Sequence, residues 1–266
     1  MPIRVVTGKG GWTPFRASFR KNYVHYLQEA LGLAIFMVSA CLFGSLLEAR
    51  SGAWHQAIPD PFIRTVIMGV LMGATALFIF YSPWTSPSGS HINPAVTLTF
   101  LRLGKVCPRD ALFFILFQFL GGTLAVYLMQ LVLGPLLLAP PVNSVVTVPG
   151  AGGWMKAMGM EFLIGFLMMN MVLFTSENKT WAKYTRPIAG ALVCIYVMVA
   201  GPVSGFGMNP ARSFASALPA HTWTAFWIYL FVPLASMLCA AEFFLWVRKK
   251  VSSGRLNLEK NAVGCL

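Results

Sequence analysis

Two identical tripeptides, Asn93-Pro94-Ala95 and Asn209-Pro210-Ala211, carry the most informative chemistry in this chain. An Asn side chain caps a helix start. Pro is tolerated in the first turn because the N–H it lacks would be unpaired there. Each triplet therefore predicts a helix amino terminus, with free N–H groups and the positive end of the helix dipole directed outward. Two such ends meeting in an apolar medium would form a polar constriction that repels cations.

The segments that must position them are membrane-grade. The 266 residues are 57% hydrophobic and only 11% charged, with a mean hydropathy of +0.68. Soluble domains run near ~25% charged, and each bilayer span needs ~20 mostly apolar residues. Six apolar segments qualify, over 25–47, 62–82, 110–133, 157–175, 187–204 and 222–247. The helical patterns at 93–102 and 209–218, each opened by Asn-Pro-Ala, are too short to span and read as re-entrant half-helices. The expected fold is an all-α membrane protein of six transmembrane helices plus two half-helices.

Charge sets the orientation. With both termini cytoplasmic, basic residues concentrate inside: Arg4, Lys9, Arg16, Arg20 and Lys21 in a tail over 1–24, then Arg102, Lys105 and Arg109, then Lys179, Lys183 and Arg186. Arg248, Lys249, Lys250, Arg255 and Lys260 follow in a tail over 248–266. Of the 20 Lys and Arg, only Arg50, Arg64, Lys156 and Arg212 fall elsewhere. The net charge of +12 is thus an orientation signal and calls for no nucleic acid. No cleavable signal peptide is visible. The five cysteines (Cys41, Cys107, Cys194, Cys239, Cys265) are scattered and show no metal spacing, so they read as buried thiols. Glu29 in span one and Glu161 in span four precede the two triplets at matching places. Each half, about 25–133 and about 157–247, has an odd number of spans, so the halves are inverted repeats with a site expected at the midplane. Gly69 and Gly73 in span two suit close helix packing.

Residues 25–247 resemble the aquaporin and aquaglyceroporin family, the major intrinsic proteins. The resemblance is strongest at Ser88-Gly89-Ser90-His91-Ile92-Asn93-Pro94-Ala95-Val96-Thr97 and Ser204-Gly205-Phe206-Gly207-Met208-Asn209-Pro210-Ala211-Arg212-Ser213. It implies that the half-helices form a seventh pseudo-span and that the protein is a homotetramer with one pore per subunit. It also implies roles. Asn93 and Asn209 would donate to a water oxygen, which can then no longer accept along a water file, so protons are opposed. Arg212 would line a selectivity constriction with Phe206, Val197 and Met68. The backbones of Gly89, Ser90, His91, Gly205 and Gly207 would line the path, with His91 on its cytoplasmic half. Glu29 and Glu161 would accept hydrogen bonds from the re-entrant loops. A proton-relay role is the alternative for two carboxylates at membrane depth.

The pattern departs from water-selective members, which usually place His where Val197 stands. Phe206 resembles the glycerol-passing branch, while Ser213 and Ala217 resemble the water branch. Water is the first expectation, and glycerol or other small neutral solutes the alternative. A secondary transporter, which also uses inverted repeats, ranks lower, because it needs a binding site for a coupling ion. A junction-forming protein without conduction is a further alternative, with no motif to support it. No cofactor, metal site or catalytic set is expected, so an enzyme is excluded.

Overall fold

The computed structural model describes residues 15–263, with side chains over 15–251. Arg4, Lys9 and Cys265 lie outside the described residues, as do the side chains of Arg255 and Lys260. Six long helices are apolar enough to cross a membrane: α1 (Phe15–Glu48), α3 (Pro61–Tyr81), α5 (Pro108–Leu133), α7 (Gly153–Glu177), α8 (Thr185–Ser204) and α10 (Phe226–Val263). Between them lie the short loop helices α2 (Ala53–Ala57) and α6 (Pro135–Leu138), and the half-helices α4 (Pro94–Arg102) and α9 (Pro210–Ala217). There are no strands among the described residues. The protein is an integral, multi-pass membrane protein.

Local chemistry sets the helix starts. Asp60 caps α3, accepting the N–H groups of Phe62 at 2.8 Å and Ile63 at 3.4 Å, and Pro61 takes the first position. Gly205 ends α8 in the left-handed region, at φ 78°. Helix pairs close through residues without bulk. A Cβ on Gly121 of α5 would sit 2.2 Å from the Ala30 carbonyl oxygen of α1. One on Gly165 of α7 would sit 2.2 Å from Ser236 Oγ of α10. Cβ atoms at Gly69 and Gly73 of α3 would press on Cys194 of α8, at 2.7 and 2.8 Å. Small residues at crossings are how helices pack closely where burial from water supplies no drive. Each half-helix packs across the repeat boundary, α4 against α10 and α9 against α5.

Three features differ from expectation. Helix α1 begins at Phe15, inside the segment read as a tail over 1–24, and α10 continues to Val263, well past 247. The polar first turns of α1 are held by tertiary contacts that composition cannot show: Asp110 accepts from Ser18, Asn22 and Tyr26, and Phe19 packs on Phe113. Cys239, read as a buried thiol, is exposed on α10, while Cys41 is buried.

Candidate functional site

The two loops ahead of α4 and α9 approach one another in the protein interior. Asn93 Oδ1 accepts the Ala95 N–H at 2.9 Å, and Asn209 Oδ1 accepts those of Ala211 and Arg212 at 3.0 and 3.2 Å. With their oxygens spent on capping, the amide nitrogens cross over. Asn93 Nδ2 donates to the Met208 carbonyl at 2.9 Å, and Asn209 Nδ2 donates to the Ile92 carbonyl at 2.7 Å. Each amide has two hydrogens, so one on each remains for a further acceptor.

The backbone before each Asn alternates through the left-handed region. In the first loop Gly89, Ser90 and Ile92 have φ of 100°, 50° and 43°. In the second, Gly205, Phe206 and Met208 have 78°, 51° and 49°. For non-glycine residues this costs on the order of 1–3 kcal/mol each, and it persists only where surroundings enforce it. The enforcing groups are the two buried carboxylates. Glu29 accepts from His91 N at 3.0 Å, Ile92 N at 2.6 Å, Ser88 Oγ at 2.7 Å and Gln118 Nε2 at 2.8 Å. Glu161 accepts from Gly207 N at 2.8 Å, Met208 N at 2.5 Å and Ser204 Oγ at 2.6 Å. Every oxygen of both carboxylates is engaged by a loop or helix donor, as a buried charge requires.

Beside the second loop lies a cavity of about 350 Å3. It runs from Glu48, Pro61 and Thr65 at the helix ends down to Gly205, Phe206 and Arg212. Met68 and Val197 also line it, so the four constriction candidates and Gly205 share one space. Phe36, Ala40 and Met72 line it too and were not singled out in the sequence. Their signal was helical spacing alone: Phe36 with Ala40 and Met68 with Met72 each lie one turn apart. The Nε and Nη1 of Arg212 are enclosed and have no hydrogen-bond partner among the described residues.

Gly89, Ser90, His91 and Gly207 do not line this cavity. Ser90 Oγ donates to the Thr85 carbonyl at 3.1 Å. The His91 ring is buried, with Nδ1 3.2 Å from Thr97 Oγ1 and its face stacked on Phe100 at a centroid distance of 4.9 Å. Thr97, not picked out from sequence, is a hub. It donates to the Asn93 carbonyl and accepts from Gln118 Nε2, each at 3.1 Å. Gly207 is wedged: a Cβ there would lie 2.6 Å from the Tyr229 ring and 3.0 Å from Glu161 Oε2. Glu48 at the mouth pairs with Arg64 at 3.2 Å, and Arg64 also donates to the Ile58 and Pro59 carbonyls, fastening the loop after α2.

Six spans around two half-helices that cap toward each other define an aquaporin-like channel fold. Comparison with known proteins agrees. The profile of the family described as Major intrinsic protein matches residues 16–244. Aquaporin NIP1-2 of Oryza sativa subsp. japonica is 32% identical over 231 residues, 86% of this chain and 72% of that protein. Aquaporin TIP2-1 of Arabidopsis thaliana is 35% identical over 213 residues, 79% of this chain and 81% of that one. The X-ray structure of the aquaglyceroporin from Plasmodium falciparum aligns with a TM-score of 0.69 at 17% identity. It covers 84% of this chain and 95% of its own, a likeness of fold. The chain belongs to the major intrinsic protein family, whose members are passive channels and not enzymes.

Proposed function

We propose that this protein is a passive channel for water, with its path running beside the two cross-bonded loop tips. The observation that carries the reading is the cavity that ends on Arg212 and Phe206, next to those tips. Arg212 supplies a fixed positive charge and guanidinium N–H groups on the cavity wall. A neutral oxygen can accept from them, and a cation is repelled. The remaining hydrogens of Asn93 and Asn209 take a water oxygen further along the path. The outward positive ends of α4 and α9 add to the barrier against protons and cations.

A second reading has a specific observation behind it. Apart from Arg212, the constriction candidates on the cavity wall, Met68, Val197 and Phe206, are all apolar. Such a wall accommodates the carbon face of a small polyol while Arg212 binds its hydroxyls, as in aquaglyceroporin-type passage of glycerol or other small neutral solutes. A secondary transporter is disfavoured, because Glu29 and Glu161 are already engaged by loop donors, so neither carboxylate is open to a coupling ion. The remaining parts of the reading are a homotetramer with a pore in each subunit and both termini on the cytoplasmic side, the latter from the distribution of Lys and Arg. Stopped-flow light scattering of proteoliposomes tests the permeant. Shrinkage in an impermeant osmolyte well above that of empty vesicles, with no re-swelling in glycerol, supports water. Rapid glycerol re-swelling supports the second reading, and neither response would remove both.

A further inference from the structure

The first turns of α1 lie beside the first turns of α5 and make a basic, aromatic corner. Phe15 and Phe19 pack on Phe113 at centroid distances of 6.2 and 5.3 Å. With Arg16 and Arg20 these rings line an open groove of about 490 Å3. Arg109 at the start of α5 brings its guanidinium 5.7 Å from the Phe15 ring. The carboxylate of this corner, Asp110, is turned inward, its Oδ1 accepting from Ser18 at 2.8 Å, Asn22 at 3.1 Å and Tyr26 at 2.5 Å. Neither Arg16 nor Arg20 forms an ion pair among the described residues.

The helix face below the two arginines matters as much. Arg16, Arg20, Tyr23, Leu27 and Leu31 follow one another at three- and four-residue steps, so they share one stripe of α1. Tyr23, Leu27 and Leu31 are exposed along it. Exposed leucines on a spanning helix face hydrocarbon, so the arginines at the end of the same stripe sit at headgroup level. Setting the orientation of a chain needs only basic charge. It does not need that charge placed on an aromatic ledge between two helices and joined to an apolar track. Basic pockets of this kind between spans suit phosphate headgroups.

We propose that this groove binds an anionic phospholipid. Its phosphate is held by Arg16 and Arg20, its glycerol backbone lies against Phe15, Phe19 and Phe113, and an acyl chain runs along Tyr23, Leu27 and Leu31. The site is independent of which solute the channel passes.

The test reads bound lipid by native mass spectrometry on the full chain, purified from membranes of phosphatidylcholine with a fixed fraction of phosphatidylglycerol. The unaltered protein is expected to retain phosphatidylglycerol in excess of its membrane fraction. The variant Arg16→Gln/Arg20→Gln is expected to lose that excess by about 5-fold for each arginine removed. Lys249→Gln/Lys250→Gln, matched in charge but at another basic cluster, is expected to retain it. Excess inorganic phosphate should displace nothing, because the acyl chain is part of the fit. Equal loss in both variants would mean generic charge attraction and overturn the proposal. Release by inorganic phosphate alone, or no excess in the unaltered protein, would do the same. So would a changed subunit count in the arginine variant with an unchanged lipid ratio, because the face would then be a contact between copies.

Discussion

The first and second loops are built to one backbone plan and finished with different side chains. Ser88 and Ser204 both donate to the local glutamate, Gly89 and Gly205 both turn left-handed, and Asn93 and Asn209 both cap and cross-bond. Beyond that the copies diverge. Ser90 faces Phe206 across the pseudo-symmetry, His91 faces Gly207, and Val96 faces Arg212. The first loop is cross-braced by Gln118 and Thr97, whereas the second leaves Arg212 with unpaired donors beside a cavity. The symmetric backbone places two helix ends tip to tip. The asymmetric side chains brace the first loop and, on the function proposed above, make the second the selective face.

Breaking the shared plan should have the largest effect. Glu29→Ala removes an acceptor from four donors and Glu161→Ala from three, two of them backbone N–H groups in each case. At up to ~1–3 kcal/mol for each buried donor left unpaired, either loss is comparable to the ~5–15 kcal/mol stability of a typical domain. Yield of folded protein in detergent and thermal unfolding should show both variants severely impaired, Glu29→Ala more so. Erasing the asymmetry at one point is milder. Arg212→Val gives the second loop the residue type of Val96, and proton leak in proteoliposomes should rise by about tenfold or more. Unchanged leak would remove Arg212 from the selective face.

Two pairs of smaller changes set the loops apart. Gly207→Ala pushes a Cβ toward Tyr229 and Glu161, and should cost ~1–3 kcal/mol in thermal unfolding. His91→Ala, at the mirrored place, meets no such wall and should instead lower stability by emptying the ring's buried site against Phe100 and Thr97. Phe206→Cys puts a thiol on the cavity, so permeability should fall several-fold with mercurials, reversed by reductant. Ser90→Cys, tucked against Thr85, should stay insensitive.

The fold was largely legible because hydropathy and half-helix starts are written in residue type. Six spans and two stubs follow from composition and from Asn-Pro-Ala, and the helices observed fall at the expected places. The ends were not legible, since the polar turns from Phe15 are held by Asp110, a residue far away in sequence. In the site, the triplets and the two glutamates could be located from their matching places in the two repeats. The crossed Asn-to-carbonyl bonds could not, because the acceptors are the backbone carbonyls of Ile92 and Met208 and any residue type supplies one. Thr97 and Gln118 were hidden for a related reason: a hydroxyl and an amide in an apolar run reveal no partner until helices are packed. Phe36, Ala40 and Met72 gave only the apolar spacing of ordinary core.

The central claim is that neutral solute passes the meeting point of the two loops while charge does not. Water flux and proton flux measured together on the same proteoliposomes, by stopped-flow scattering and an entrapped pH dye, test it most directly. Osmotic shrinkage should be many times faster than in empty vesicles, with a proton flux no greater than theirs. Shrinkage and proton flux rising together, or no gain in shrinkage at all with glycerol equally excluded, would contradict it.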